Sequence, residues 1–185
     1  MTQAANLAAL GTNVDTAGDV SLTTGVTGTL PVANGGTGLT ALGPAFSAYK
    51  TSSQSYSGNT WTKITYETEE YDTNSNFASS TFTPTVAGYY LFTARNQFIA
   101  DGTAMAEINS AFYKNGAIAK TGTYKYQPAA GTAQFGSTTS AVIYCNGSTD
   151  YVECYGRTDG SGLTFYGSSG GAPYAYFQGT LLRAA

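Results

Sequence analysis

The chain has 185 residues, enough for one sizeable core with length to spare. Only 10% of the residues are charged and the net charge is −3, which gives no electrostatic basis for binding nucleic acid or an anionic membrane. Histidine is absent, so Ser–His–Asp and Cys–His catalysis are excluded, as is the commonest zinc ligand.

Residues 1–44 contain no aromatic side chain, and their only charges are Asp15 and Asp19. Such a segment cannot build a core by itself and is expected to be ordered only by partners, either sister copies or a larger assembly. Its start lacks the positive charge and strong apolarity of a secretory signal. Ala4–Leu10 reads as a short helix stopped by Gly11. Beyond it, single apolar residues (Val20, Leu22, Val26, Leu30, Val32) are separated by Gly and Thr. They can be buried only against copies of the same chain around a common axis. No run is long and apolar enough to span a bilayer, so membrane insertion is not expected.

Gly43-Pro44 marks the boundary between this attachment and shaft segment and a knob at 45–185. The knob holds all the aromatic residues and abundant Gly, Thr, Ser and Asn, a composition for strands and turns. Strands are predicted at Ala45–Lys50, Thr60–Thr68 and Phe77–Thr83, with Thr51–Asn59 as a polar loop between the first two. Gly88–Ile99, Met105–Lys114 and Ala117–Tyr126 follow, the last two joined by the tight Asn115-Gly116 turn. Thr138–Cys145 and Asp150–Arg157 are predicted to pair as a hairpin around Asn146-Gly147, and Tyr174–Leu182 closes the domain. Nine or ten strands without a helix predict a sandwich or jelly roll.

One strand is apolar on both faces. Tyr90, Phe92, Ala94 and Phe98 share one side of Tyr89–Ile99, and Tyr89, Leu91 and Ile99 share the other. One face fits the core of a small β domain, and the second needs a separate cover.

Two resemblances bear on that cover. Gly28-Thr-Leu-Pro-Val-Ala-Asn-Gly-Gly-Thr-Gly38 resembles a segment that recurs in bacteriophage tail-fibre proteins just before a receptor-binding tip. In the knob, Ala45-Phe46-Ser47-Ala48, Tyr71-Asp72 with Phe77, and Phe82 with Gly88, Tyr90 and Phe92 fall in a distinctive order. Lys114-Asn115-Gly116 and Phe177-Gln178-Gly179-Thr180-Leu181-Leu182 complete it. The series resembles the globular head of complement component 1q and its tumour-necrosis-factor-like relatives. It departs in the longer interval before Phe82, in Ala94 where an aromatic is usual, and in a Gly-Asp pair split as Gly147 and Asp150. The resemblance implies an all-β, ten-stranded jelly roll that forms a tight homotrimer, with Tyr89 and Leu91 at the trimer interface. It also implies binding without catalysis or a cofactor.

Chemistry is sparse. Glu67, Glu69, Glu70 and Asp72 have the oxygen density for calcium but match no ligand loop, so they read as a solvated edge and no metal is expected. Glu107, Glu153, Asp101 and Asp159 supply carboxylates for glycoside hydrolysis, but nothing brings two together, so no enzyme is expected. Gly160-Ser-Gly162 lacks the following Lys and helix of a phosphate loop. Asn146-Gly147-Ser148 fits a glycosylation sequon and reads as a turn. Cys145 and Cys154 flank that turn and read as free thiols.

Binding is expected from aromatic residues near strand ends: Tyr124, Tyr126, Tyr155, Phe165 and Tyr166, with Arg157. The long Gly156–Gly171 stretch is expected to be a flexible tip loop presenting Phe165 and Tyr166. The whole predicts a virion-surface fibre of a bacteriophage, attached to other virion proteins through 1–44, whose trimeric knob adheres to a host protein or glycan. The alternative is a capsid or tail decoration protein with a purely architectural role.

Overall fold

Period-two burial along the strands builds two facing sheets. The computed structural model describes residues 43–100, 107–126, 133–159, 163–167 and 173–185. The expected Ala4–Leu10 helix, the spaced apolar residues up to Val32 and the phage-like Gly28–Gly38 segment lie outside the described residues. Leu42–Ala185 forms one compact unit.

Every regular element among the described residues is a strand. The first seven are β1 (Ala45–Tyr49), β2 (Gln54–Tyr56), β3 (Thr62–Lys63), β4 (Thr68–Asp72), β5 (Phe77–Ala78), β6 (Thr81–Phe82) and β7 (Gly88–Ala100). The remainder are β8 (Glu107–Lys114), β9 (Ala117–Thr121), β10 (Lys125–Tyr126), β11 (Ala133–Cys145), β12 (Val152–Thr158), β13 (Leu163–Phe165) and β14 (Tyr176–Ala184). The count exceeds ten because pieces of two or three residues pair separately.

The first sheet runs β2-β13-β7-β14-β1-β4, with β11 along the other edge of β7. The second runs β10-β8-β12-β6-β5, with β9 on β8 and β3 on β12. All pairings are antiparallel, including that of β1 with β14, where Ala45 faces Thr180. The architecture is the all-β jelly-roll sandwich that the sequence predicts.

One predicted hairpin forms and one does not. Asn115 and Gly116 both take positive φ, 53° and 80°, as a two-residue turn between twisted strands requires, and β8 pairs with β9. The predicted pairing of Thr138–Cys145 with Asp150–Arg157 is absent. β11 pairs with β7 in the first sheet, and β12 with β8 in the second. The Asn146 side chain explains the crossing. Its Oδ1 accepts the N–H groups of Ser148, Thr149 and Asp150, each at 3.0 Å, and so builds an Asx-type loop that carries the chain between sheets.

The core is aromatic at both ends and polar in the middle. Phe46 lies 4.6 Å from Phe77, 4.5 Å from Phe82 and 4.9 Å from Phe177 by ring centroids. A Cβ on Gly179 would stand 2.7 Å from Phe46 Cε1 and 2.7 Å from Phe92 Cδ1, so only glycine lets these rings close. At the far end Tyr56 stacks on Phe165 at 3.9 Å, with Phe98 edge-on at 5.3 Å from Phe165. Between them Asn96 is fully buried. It accepts from the Tyr66 hydroxyl at 2.6 Å, and its Nδ2 lies 3.3 Å from Cys154 Sγ and 3.4 Å from Ser110 Oγ. A buried amide is tolerated there because its polar atoms have partners.

The two faces of β7 separate as the alternation predicts. Tyr90, Phe92, Ala94, Asn96 and Phe98 are buried, whereas Tyr89 is 48% exposed and Leu91, Thr93, Arg95, Gln97 and Ile99 are half-buried.

Candidate functional site

Two outward surfaces concentrate side chains able to bind. The first is the open face of the first sheet, where cross-strand pairing lines up a row of neutral side chains over five strands, with the Glu70 carboxylate against Ser47 and Arg183 opposite Tyr89. Tyr71 of β4 faces Ser47 of β1, which faces Gln178 of β14. Gln178 and Thr180 face Thr93 and Leu91 of β7, which face Ser140 and Val142 of β11. Tyr71, Leu91, Thr93, Gln178, Gly179 and Thr180 line a depression of about 130 Å³. Beside it Tyr89 and Tyr144, cross-strand partners, have ring centroids 5.4 Å apart. Tyr71, Tyr89, Val142 and Tyr144 are each exposed by 41–49%. The neighbouring strand β11 has no charged residue and no proline over its 13 residues. Charges and proline are the usual devices for protecting a long edge; here Thr123 covers part of it instead, donating its N–H to the Thr138 carbonyl at 3.1 Å.

The second surface is the outer face of the second sheet. Alternation along β12 turns Val152, Cys154, Gly156 and Thr158 inward and Tyr155 and Arg157 outward, with Glu153, itself buried, paired opposite Tyr113 on the same side. Tyr155 faces Ala111 of β8 across the pairing, and its ring stacks on that of Tyr113 at 3.9 Å. Trp61, just before β3, meets Tyr113 at 6.0 Å in a T-shaped contact. Charged groups frame the rings. Lys63 Nζ lies 2.6 Å from Glu153 Oε1, and Arg157 Nη1 lies 3.3 Å from Glu107 Oε1. The Tyr155 hydroxyl donates to Glu153 Oε2 at 3.3 Å. Burial first, and then the Glu153 carboxylate, push the Tyr155 phenol up to about 12, so it stays a neutral donor.

The expected binding residues do not form one site. Tyr155 and Arg157 share the second-sheet face. Tyr124 is exposed in the link between β9 and β10. Tyr126 belongs to β10, and its side chain is not among those described. Tyr166 is half-buried and meets the exposed Tyr174 at 6.1 Å. Phe165 is fully buried, contrary to its expected place in an open tip loop. β13 pairs with β2 and β7, and this turns Phe165 into the far aromatic cluster, over Gly156. No local pattern in the sequence marks Trp61 and Tyr113 as binding residues. Only the pairing of Tyr155 with Ala111 shows that β8 and β12 bring their rings together.

The other candidate groups are occupied by structural work. Burial would raise the Glu67 carboxyl, but the Thr51 N–H, the Ser52 hydroxyl and Lys50 hold it down to about 2. Lys50 is fully buried, with Nζ 3.0 Å from Glu67 Oε1. Asp72 accepts the Phe77 N–H at 2.7 Å, and Glu70 accepts the Ser47 hydroxyl at 2.6 Å. Among the described residues no three potential ligands gather as a metal site would require. Glu107 and Asp159 do come together, but the Asp159 carboxylate accepts the Glu107 backbone N–H at 2.7 Å while the Glu107 carboxylate pairs with Arg157. Cys145 and Cys154 are free and buried, and burial pushes both thiols up to about 11. Neither is a ready nucleophile.

No family model and no curated protein matches the sequence. Solved structures do match. The globular domain of zebrafish complement 1qA aligns at 16% identity with a TM-score of 0.52, covering 77% of this chain and 99% of that one. The fold is that of the complement 1q and tumour necrosis factor jelly rolls. The Eiger tumour necrosis factor of S. frugiperda aligns at 8% identity with a TM-score of 0.56, covering 78% and 96% of the two chains. Murine APRIL aligns at 10% identity with a TM-score of 0.51, covering 74% and 95%. Likeness at these identities extends to the jelly roll and stops there, because a shared fold hosts many unrelated functions.

Proposed function

We propose that the chain is a bacteriophage fibre protein whose jelly-roll knob assembles as a homotrimer on the virion surface and adheres to the host cell. The observation that carries this reading is the row of neutral side chains across the first sheet, with Tyr71, Tyr89, Val142 and Tyr144 half exposed beside it. Apolar side chains gathered on one sheet face of a small domain favour a partner surface. The trimer that the sequence resemblance implies would supply it from sister copies, and three equivalent knobs would add weak host contacts into a firm one. The tail-fibre-like Gly28–Gly38 segment and the aromatic-free leader support attachment of residues 1–44 to other virion proteins.

The purified full chain, incubated with host cells before infection, is expected to reduce phage adsorption in proportion to the sites it occupies. If it does not bind the cells and adsorption is unchanged at saturating concentrations, adhesion is wrong and the architectural role of a decoration protein takes its place.

A further inference from the structure

The rings of Trp61, Tyr113 and Tyr155 form a continuous shelf on the second sheet, away from the face assigned to sister copies. Resting on the adhesion reading above, we infer that this shelf is the knob's glycan-contacting surface and that it takes a neutral pyranose.

The chemistry follows from what the shelf offers and what it has already used. A pyranose presents a patch of C–H bonds on one face and hydroxyls around its rim, and half-buried aromatic rings beside polar groups match both. Trp61, Tyr113 and Tyr155 are all half-buried. They also rest on support, since Ala111 beneath the pairing is fully buried and the Tyr155 hydroxyl is tethered to Glu153. A ring already held in place loses little freedom on binding.

Charge decides between ligand types. Both cations beside the rings are already matched, Lys63 with Glu153 and Arg157 with Glu107. A sialylated or sulfated sugar would have to break one of these pairs and leave a carboxylate without its cation. A neutral sugar needs only hydrogen bonds from the same groups. A protein partner would need roughly 800 Å² on each side for a stable contact, well beyond three side chains.

Trp61 is the only tryptophan in the chain, so its emission reports on this site alone. The full chain is screened on a printed array of neutral hexose, deoxyhexose and N-acetylhexosamine oligosaccharides beside sialylated and sulfated ones. Each binder is then titrated in solution while tryptophan emission is followed. At least one neutral oligosaccharide is expected to bind and to change the emission saturably. Tyr155→Ala should weaken it about tenfold, as loss of a central aromatic contact does, and Tyr155→Phe should weaken it far less. Thermal melts of the variants show whether the fold is kept, and Trp61→Ala, read on the array, serves if the Tyr155 alanine variant unfolds. No neutral binder, binding of anionic sugars in their place, or neutral binding that leaves Trp61 emission unmoved would each overturn the assignment. Adsorption competition separates this inference from the reading beneath it. If wild type and Trp61→Ala block adsorption equally, adhesion stands and the shelf falls. If neutral sugar binds but adsorption is never blocked, the shelf stands and adhesion falls.

Discussion

Replacing Tyr89 by Asp tests the open face of the first sheet directly. A tyrosine buries ~150–250 Å² when fully covered, and Tyr89 is 48% exposed, so on the order of 100 Å² remains for a sister copy to cover. At ~25 cal/mol per Å² that area stabilises association by about 2.5 kcal/mol per copy. Losing it in each of three copies weakens the trimer by on the order of 7 kcal/mol, about five decades in the association constant, before the cost of burying the new carboxylate. The monomer barely feels the change. In the protomer the Tyr89 ring meets the Tyr144 ring at 5.4 Å, tilted, an exposed cross-strand contact worth ~1 kcal/mol or less. Sedimentation equilibrium at micromolar concentration should therefore give three times the 19.2 kDa chain mass for wild type and the single chain mass for Tyr89→Asp. The melting curve of the separated variant should remain cooperative. A wild-type monomer at every concentration, or a variant trimer with an unchanged association constant, refutes the reasoning.

Other outcomes follow from the interior. Gly179→Ala pushes a methyl into Phe46 and Phe92 and should cost ~1–3 kcal/mol in chemical denaturation; an unchanged midpoint would mean that the two rings can shift aside. Cys145 and Cys154 should resist a thiol reagent at neutral pH in the native state and both react in denaturant, which thiol counting by mass measures. Glu67 contributes through a carboxyl held at about 2 against its ordinary 4.5. Because its folded value is depressed, that stabilisation is complete above about pH 4.5 and fades as pH falls toward about 2. The side chain is a third exposed, so the effect is on the order of 1 kcal/mol after solvent screening. Glu67→Gln should melt earlier at pH 7 and show a flatter loss of stability between pH 4.5 and 2 than wild type.

What could be read from the sequence depended on the range of the interaction. The faces of Tyr89–Ile99 follow from alternation, which is local, and Tyr90, Phe92 and Phe98 are buried as that rule requires. Asn115-Gly116 gives its turn because both residues accept positive φ. Asn146-Gly147 looks identical on paper. There, however, the asparagine side chain satisfies three backbone N–H groups and sends the chain to the opposite sheet, a choice made by geometry four residues long. Phe165 departs from the expected open loop because a glycine-rich stretch conceals a three-residue strand, whose pairing with Gln54–Tyr56 spans more than a hundred residues of sequence. The same distance hides the shelf. Trp61, Tyr113 and Tyr155 lie on three separate strands or strand ends, and no local pattern announces that they meet.

The pairing of Ala45 with Thr180 sets a clock on how the knob can be made. β14 lies between β7 and β1, so the first sheet has a gap at its centre until Tyr176–Ala184 has been synthesised. At ~5–20 residues per second, on the order of ten seconds or more separates β1 from the strand that joins it to β7. Until then the five-residue edge of β1 and, once it is made, the longer edge of β7 wait unpaired, and neighbouring ribosomes on the same message hold sister chains in the same condition. A ribosome that stops before Tyr176 therefore yields no smaller knob, only a chain whose open edges can pair with those of its neighbours.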